Sequence, residues 1–331
     1  MIRLSKDDSF IIYQEPQKKQ SFIGLGIWKK LDQNHSFKEN TFVFSLFDSL
    51  TYLLEGKICK LKSKVEIKSA KKINTISTEK RNYLDSVDSI IKKCKEGEIK
   101  KCILSRIIVS KNDESNLFTL YQKLTEKYKH GFTYILNHPM FGMWIGVSPE
   151  TLLKGNSDKG FFSQALAGTK TSFDKKNWSI KEIEEHQYVA LHLRTKIKSH
   201  GMIIKSSDVH EKIAGNVQHL NQEFFFKLKS DLFQFINEFH PTPAIAGIPL
   251  NKSLKIINQY EDHSRSLYCG YLGIINNNSC NLYVNLRCAR INLKEIQIFV
   301  GGGITEKSNP TNEYLETEIK SQTLLSVIKK I

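Results

Sequence analysis

The order of β-prone segments along the chain constrains the fold more than any other feature of the sequence. These segments come in runs joined by polar turns, such as the turn at 138–139, and a few long helical segments separate the runs. Hairpin-linked runs of this kind predict an α+β fold with a large antiparallel or mixed sheet, and not a doubly wound parallel sheet. The predicted strands are 21–28, 41–47, 57–68, 99–110, 131–146, 160–167, 267–275, 282–292 and 296–300. The predicted helices are 78–95, 117–128, 179–199, 223–239, 250–262 and 309–331.

The length and the cysteines limit the class of protein. The chain has 331 residues, of which 40% are hydrophobic and 25% are charged, as is typical of a globular protein with an ample core. No run of about 18 apolar residues is present, and the first ten residues lack the apolar core of a signal peptide, so we expect no membrane span and no export. Six scattered cysteines without a Cys-x-x-Cys pair indicate reduced thiols in a cytoplasmic protein.

The net charge of +15 raises the question of a polyanionic partner. Residues 57–101 hold thirteen lysines, one arginine and six acidic residues, so more than half of the net charge lies there. No aromatic RNA-recognition motif and no Cys/His finger accompanies these lysines. The favoured interpretation is a solvated basic surface with no nucleic-acid partner, and a non-catalytic polyanion-binding protein is the alternative.

Two pairs of glutamates have the spacing of neighbours on one helical face. Glu182 and Glu185 are three residues apart, as are Glu313 and Glu316, and Lys320 follows four residues after Glu316. Such spacing is common on solvent-exposed faces with surface ion pairs. If the two faces met across a cleft, their four carboxylates would repel each other. A hard divalent cation such as Mg²⁺ would relieve that repulsion.

Three further features could carry chemistry. Residues 300–304 read Val-Gly-Gly-Gly-Ile after a predicted strand, and the glycines permit either a tight turn or a backbone cradle for an anion. Lys101 shares a strand face with Ile103 and Ile107. Desolvation there would favour the neutral amine and make it a base, unless the side chain reaches solvent from the strand end. Arg287 lies between apolar neighbours and suits either a carboxylate ligand or a structural ion pair.

Ten segments occur in an order that is far more specific than any one of them alone. They are KCILSR (101–106), SPETLL (148–153), QALAGT (164–169), KEIEEH (181–186), HL (219–220), HPTPA (240–244), RSLYCG (265–270), LRCA (286–289), GGGI (301–304) and EYLETEIK (313–320). From about residue 79 to 331 the chain thereby resembles the chorismate-utilising enzyme family, which includes isochorismate, salicylate, anthranilate and aminodeoxychorismate synthases. The resemblance implies an α/β sandwich around a large mostly antiparallel sheet. We expect a single domain over 1–331, with a catalytic region at 79–331 and a short variable N-terminal portion at 1–75.

The resemblance implies a water-adding member that interconverts chorismate and isochorismate. Lysine at the position of Lys101 is the family's general base for water attack at C2, and Glu150 matches the acid that protonates the departing C4 hydroxyl. Leu166 is typical of water addition, and Ala167 replaces the nucleophilic lysine of aminodeoxychorismate synthases. The implied magnesium ligands are Glu182, Glu185, Glu313 and Glu316. The implied substrate-binding positions are Leu166, Ala167, Gly168, Thr169, His219, Tyr268, Gly270, Arg287, Gly301, Gly303 and Lys320.

Other members of the family stay open as alternatives. A salicylate synthase forms the same intermediate and then eliminates pyruvate. An anthranilate-type subunit would need a glutaminase partner, and Lys101 and Ala167 argue against it. We therefore expect chorismate as the substrate, Mg²⁺ as the cofactor, no glutaminase subunit and a monomer. The product would serve menaquinone, siderophore or salicylate synthesis.

Overall fold

The computed structural model describes residues 1–32, 35–37, 39–68, 76–111, 117–172, 175–214 and 217–329. These residues form nineteen strands and six helices. The strands are β1 (Ile2–Ser5), β2 (Phe10–Gln14), β3 (Ser21–Lys30), β4 (Thr41–Ser45), β5 (Thr51–Lys60), β6 (Val65–Lys68), β7 (Lys101–Lys111), β8 (Phe132–His138), β9 (Gly142–Ser148), β10 (Thr151–Asn156), β11 (Gly160–Thr171), β12 (Gly201–Ser206), β13 (His210–Ala214), β14 (Val217–Leu228), β15 (Gly247–Ile248), β16 (Tyr271–Ile275), β17 (Ser279–Val284), β18 (Cys288–Ile291) and β19 (Glu295–Ile304). The helices are α1 (Lys80–Lys95), α2 (Leu117–Lys127), α3 (Ile180–His200), α4 (Leu232–Phe239), α5 (Leu250–Tyr260) and α6 (Pro310–Ile328).

Seventeen of the described strands join in one network of antiparallel ladders, and β1 and β6 form a separate parallel pair. The N-terminal strands belong to the network, because β2 pairs with β8 and β4 pairs with β16. The α+β fold with a large, mostly antiparallel sheet is therefore confirmed. Among the described residues, no helix combines the length and the apolar character that a bilayer crossing requires.

The ladder between β7 and β19 places three glycines opposite a buried strand. Residues 101–107 of β7 are all buried, including the polar side chains of Lys101, Ser105 and Arg106. In this ladder Ser105 pairs with Gly301, and Ile103 pairs with Gly303. Since glycine brings no side chain, groups from neighbouring elements can approach the β19 backbone closely there.

Two helices meet at these glycines. Helix α3 packs against β11, and α6 packs against both β19 and β11. Local caps fix where the helices begin: Asn309 accepts a hydrogen bond from the Asn312 N–H, with Pro310 in the first turn, as the sequence predicts. At α3 the Ser179 N–H donates to Oε2 of Glu182 over 3.2 Å. The first turns of both helices therefore face the same part of the sheet.

One predicted helix is wrong. Residues 223–239 are not a single helix, because β14 continues to Leu228 and the short α4 follows it. Burial in β14 alternates: Phe224 and Phe226 are fully buried, whereas Phe225 is 41% exposed. This strand pairs with β11 along one edge and with β12 and β13 along the other, and these ladders outweigh the helical spacing of its apolar residues.

Several strands also differ from the sequence prediction. Strands β10, β12 and β13 were not predicted, since they are short and carry many polar residues. The predicted strand 282–292 is interrupted between β17 and β18, where Arg287 has a φ of 47°. That left-handed backbone cannot continue a β ladder, so the chain turns at this arginine.

Candidate active site

Two adjacent cavities contain most of the residues that the family resemblance implies. The inner cavity, of about 70 Å³, lies beside the β7–β19 ladder, and the outer cavity, of about 530 Å³, lies between the starts of α3 and α6. Gly270 lines neither cavity. Its backbone packs against the Ser45 carbonyl oxygen, so there is no room for a Cβ at this position. The implied residues that line the inner cavity are Lys101, Glu150, Leu166, Ala167, Gly168, Thr169, Glu185, His219, Tyr268, Arg287, Gly301, Gly303 and Lys320. Those that line the outer cavity are Thr169, Glu182, Glu313 and Glu316.

Lys101 is fully buried at the first position of β7. Its Nζ lies 3.0 Å from Oε1 of Glu185. The two groups are not aligned as a hydrogen bond, and Nζ has no hydrogen-bond partner among the described residues. Lys101 therefore does not reach solvent from the strand end, and its amine is left to bind a small polar molecule such as water inside the inner cavity.

Glu150 faces the same inner cavity directly after β9. Its backbone N–H donates to Oγ of Ser148 over 3.3 Å, which fixes the turn that carries it. Burial raises the pKa of Glu150 from 4.5 to about 7, although Lys212, Lys101 and Arg287 act to lower it. A carboxyl group with this pKa is still partly protonated near neutral pH and can donate its proton to a leaving group.

His219 presents a neutral ring to the inner cavity. Its Nδ1 lies 2.9 Å from the carbonyl oxygen of Gly168, and since that oxygen can only accept, Nδ1 carries the hydrogen. Burial, with the charges of Arg287 and Lys320, lowers the pKa of His219 to about 3. The ring is therefore uncharged at neutral pH, and its Nε2 is an acceptor for a ligand hydroxyl.

Two cations and a phenol mark the part of the inner cavity that suits an anionic ligand. None of the described carboxylates forms an ion pair with Arg287, so the structural ion pair that the sequence left open is not seen there. Nζ of Lys320 donates to the Gly301 carbonyl oxygen over 2.9 Å, which holds the ammonium at the cavity wall. The Tyr268 hydroxyl lies 3.0 Å from where a Cβ on Gly301 would lie. These donors can bind a carboxylate.

The structure brings three of the four implied magnesium ligands to the glycines of β19. A Cβ on Gly303 would lie 2.2 Å from Oε1 of Glu185, and one on Gly302 would lie 3.4 Å from Oε2 of Glu313 and 3.6 Å from Oε1 of Glu316. Glu182 is oriented differently, because its carboxylate accepts from the backbone and hydroxyl of Ser179 at the start of α3.

Oxygen ligands of this kind suit a hard divalent cation, and one of them lacks a partner. Oε2 of Glu313 is buried without a hydrogen bond among the described residues. The same part of the chain contains no three His, Cys, Asp or Glu side chains that are already arranged to hold a metal. The set Glu185, Glu313 and Glu316 therefore fits a cation in its chemistry, and a lysine that lies among these residues separates them here.

That lysine is Lys181, in the first turn of α3. Its Nζ lies 2.7 Å from Oε1 of Glu313. Burial nevertheless raises the pKa of Glu313 to about 7. Burial alone would also raise the pKa of Glu316, but the Lys320 ammonium at 2.6 Å, together with Lys181, lowers it to about 2. Lys320 and Lys181 thus keep Glu316 ionised, whereas burial raises the pKa of Glu313 in spite of Lys181.

Gly303→Ala is expected to destabilise the protein. The added Cβ would lie 2.2 Å from Oε1 of Glu185 and 2.9 Å from Cε of Lys101, which is closer than packed atoms approach. We expect a loss of about 1–3 kcal/mol in the free energy of unfolding, measured by urea denaturation. Gly302→Ala is the comparison, because its Cβ would lie 3.4 Å from its nearest neighbour and should cost less. Equal stability of both variants would contradict this placement of Glu185.

Sequence reasoning missed two site lysines. Lys181 lies four residues before Glu185 on the same helical face, so its spacing was a usable signal. Lys212 donates to Oε1 of Gln164 over 2.7 Å, and its charge acts to lower the pKa of Glu150. It lies on β13, a strand that the sequence did not reveal, so no pattern could have placed it.

A family model described as "Chorismate binding enzyme" matches residues 31–329 of the chain. Because this match covers most of the chain, the protein belongs to the chorismate-binding enzyme family. The match agrees with the geometry above, in which basic groups and an acid line a cavity beside a cluster of glutamates.

The chain is similar to curated proteins named isochorismate synthase. It is 28% identical over 260 residues to the chloroplastic isochorismate synthase 2 of Arabidopsis thaliana, covering 72% of this chain and 45% of that protein. It is 24% identical over 265 residues to isochorismate synthase MenF of Bacillus subtilis, covering 76% of this chain and 56% of that protein. The chain thus spans about half the length of these curated relatives.

The fold is shared with a solved structure. The menaquinone-specific isochorismate synthase MenF of Escherichia coli superposes with a TM-score of 0.79 at 19% identity, over 97% of this chain and 88% of that chain. At this identity the likeness shows the fold alone.

Proposed function

We propose that this protein is an isochorismate synthase, which interconverts chorismate and isochorismate. One observation carries the proposal: Lys101, whose amine has no hydrogen-bond partner among the described residues, and Glu150, whose pKa is raised to about 7, face the same inner cavity. Water addition at one carbon with loss of a hydroxyl from another needs a base and an acid on one substrate. The similarity to proteins named isochorismate synthase supports this activity.

In the proposed reaction, the Lys101 amine accepts a proton from water as the water oxygen bonds to C2. The ring double bonds shift, the C4–O bond breaks, and Glu150 gives its proton to the departing hydroxyl, which leaves as water. One water is consumed and one is released, so the reaction is an isomerisation. The reverse reaction uses the same two groups with their roles exchanged.

The remaining groups of the inner cavity would bind the dianionic substrate. Arg287 and Lys320 are the cations that can pair with its carboxylates, and Tyr268 adds a hydroxyl donor. Nε2 of the neutral His219 can accept a hydrogen bond from a substrate hydroxyl. These contacts would orient the ring between Lys101 and Glu150.

We also propose Mg²⁺ as the cofactor, with Glu185, Glu313 and Glu316 as its protein ligands. The unpartnered Oε2 of Glu313 and the space beside Gly302 support this assignment. A magnesium ion held by these residues would supply positive charge that offsets the negative charge of the substrate. Glu182 is not in this set, because its carboxylate caps α3.

Glu313→Gln is expected to weaken Mg²⁺ binding by about tenfold or more, because an amide replaces a charged oxygen ligand. Isothermal titration with MgCl₂ measures this without any substrate. Glu96→Gln is the matched control, since Glu96 is exposed at the end of α1, and it should leave the affinity unchanged. Equal Mg²⁺ affinity of Glu313→Gln and wild type would contradict the assignment of Glu313.

Product analysis tests the proposed activity. The purified protein is incubated with chorismate and Mg²⁺ alone, and the products are separated by chromatography. Isochorismate as the only enzymatic product supports the proposal, including the absence of a glutaminase partner. Salicylate that accumulates enzymatically would instead identify a salicylate synthase, and a fluorescent product that requires ammonia would indicate an anthranilate-type enzyme.

A further inference from the structure

Lys181 lies between the helices that carry the carboxylate cluster, and the proposed reaction does not use it. Its Nζ lies 2.7 Å from Oε1 of Glu313 in α6 and 3.9 Å from Oε2 of Glu185 in its own helix. The side chain is only 13% exposed. A lysine ammonium therefore occupies the position between two carboxylates that are assigned above to a divalent cation.

Each carboxylate of the cluster lies close to one internal lysine. The three closest pairs are Lys101 with Glu185, Lys181 with Glu313 and Lys320 with Glu316. Each of these three carboxylates therefore already has a lysine amine within 3.0 Å without a metal. A divalent cation added among them would lie close to these ammonium groups and would be repelled, unless one of them moved away.

Of these three lysines, Lys181 is the one whose side chain borders a cavity large enough to receive it. Lys101 and Lys320 line the inner cavity, whereas Lys181 lines the larger outer cavity beside Lys307. A long flexible side chain can turn into that space while its backbone stays in α3. Its departure would release Oε1 of Glu313 from the ion pair, and Oε2 already lacks a hydrogen-bond partner among the described residues.

We propose that the Lys181 ammonium is a built-in competitor for the divalent cation. It occupies the carboxylate cluster in the metal-free protein and withdraws into the outer cavity when the cation binds. The inference rests on the proposed function only for the assignment of Glu185 and Glu313 as ligands. Lys181 thereby stabilises two buried carboxylates in the metal-free protein and lowers the affinity for Mg²⁺.

Lysine labelling of the wild-type protein tests the exchange directly. An N-hydroxysuccinimide acetate reagent is applied with and without saturating MgCl₂, and acetylation at each lysine is measured by peptide mass spectrometry. Acetylation of Lys181 should rise several-fold with MgCl₂. Lys198, which is exposed at the other end of α3 and lines neither cavity, is the internal control and should not change. Unchanged or reduced labelling of Lys181 under conditions where Mg²⁺ binds would overturn the proposal.

Substitution gives an independent readout in calorimetry and thermal unfolding. Lys181→Met should bind Mg²⁺ at least about tenfold more tightly than wild type, and its Tm should be lower without Mg²⁺ and recover when Mg²⁺ is added. Lys181→Arg keeps the charge and should behave like wild type, as should the surface control Lys198→Met. Equal or weaker Mg²⁺ binding by Lys181→Met would overturn the proposal, and if that variant does not fold, the labelling of wild type decides.

The proposed function and this inference can fail separately. If the protein forms isochorismate but acetylation of Lys181 does not change when Mg²⁺ binds, only the proposed withdrawal of Lys181 is refuted. Mg²⁺-dependent labelling of Lys181 without isochorismate formation would refute the activity alone.

Discussion

Lys101→Gln is expected to lower kcat for isochorismate formation by about 10³-fold, which is within the usual contribution of a general base. Glutamine has a similar length, but its amide cannot accept a proton from water at neutral pH. Lys101 is fully buried at the inner cavity and its Nζ lacks a hydrogen-bond partner among the described residues, whereas Nζ of Lys320 is held by the Gly301 carbonyl oxygen. The measurement is steady-state conversion of chorismate by purified protein with Mg²⁺.

Lys100→Gln is the matched control for this variant. Lys100 is the preceding residue and is exposed, so its loss should leave kcat and KM unchanged. The far-ultraviolet circular dichroism of Lys101→Gln should match wild type, because β7 keeps its ladder to β19. A folded Lys101→Gln variant with wild-type kcat would remove Lys101 as the base.

Glu150→Gln is expected to lower kcat by about 10²–10⁴-fold, because the amide has no proton to give to the leaving hydroxyl. Wild-type activity should fall as the pH rises above about 7, since burial raises the pKa of Glu150 to about that value and only the protonated form is the acid. This alkaline decline should be absent from the residual activity of Glu150→Gln. A pH–rate profile of both proteins measures the difference. The same alkaline decline in both would contradict the assignment of Glu150 as the acid.

The stability of Glu150→Gln separates lost chemistry from lost folding. The pKa of Glu150 is higher in the folded protein than the ordinary 4.5, so the folded state binds the extra proton between about 4.5 and about 7. Stability from this group is present below that window and is lost as the pH rises through it. Glutamine removes that loss, so above pH 7 the variant should have a Tm equal to or higher than that of wild type. A lower Tm there would show that the carboxyl has another structural role.

The elements with local signals could be predicted from the sequence. The start of α6 followed from Asn309 and Pro310, because a cap and a first-turn proline act within a few residues. The prediction of a single helix at 223–239 failed because the structure there depends on residues that are distant in sequence. Phe224 and Phe226 are buried by ladders to β11, β12 and β13, and partners so distant in sequence leave no local pattern.

In the candidate site too, features that depend on short sequence segments could be predicted, and features that depend on contacts between distant elements could not. The ordered segments indicated Lys101 and Glu150, and both line one inner cavity. Helical spacing placed Glu182 and Glu185 on one face, but it could not show that Ser179 would bind the carboxylate of Glu182. The part played by Lys181 depends on where α6 lies relative to α3, which no spacing within either helix encodes.

The central claim is that water adds to the substrate ring while its original hydroxyl leaves. Wild-type protein is incubated with chorismate and Mg²⁺ in H₂¹⁸O, and the mass of the isochorismate is measured after a single turnover. One ¹⁸O atom is expected in the product, at the C2 hydroxyl. Isochorismate without ¹⁸O would contradict it, because the hydroxyl would then have moved within the molecule and Lys101 would have no water to activate.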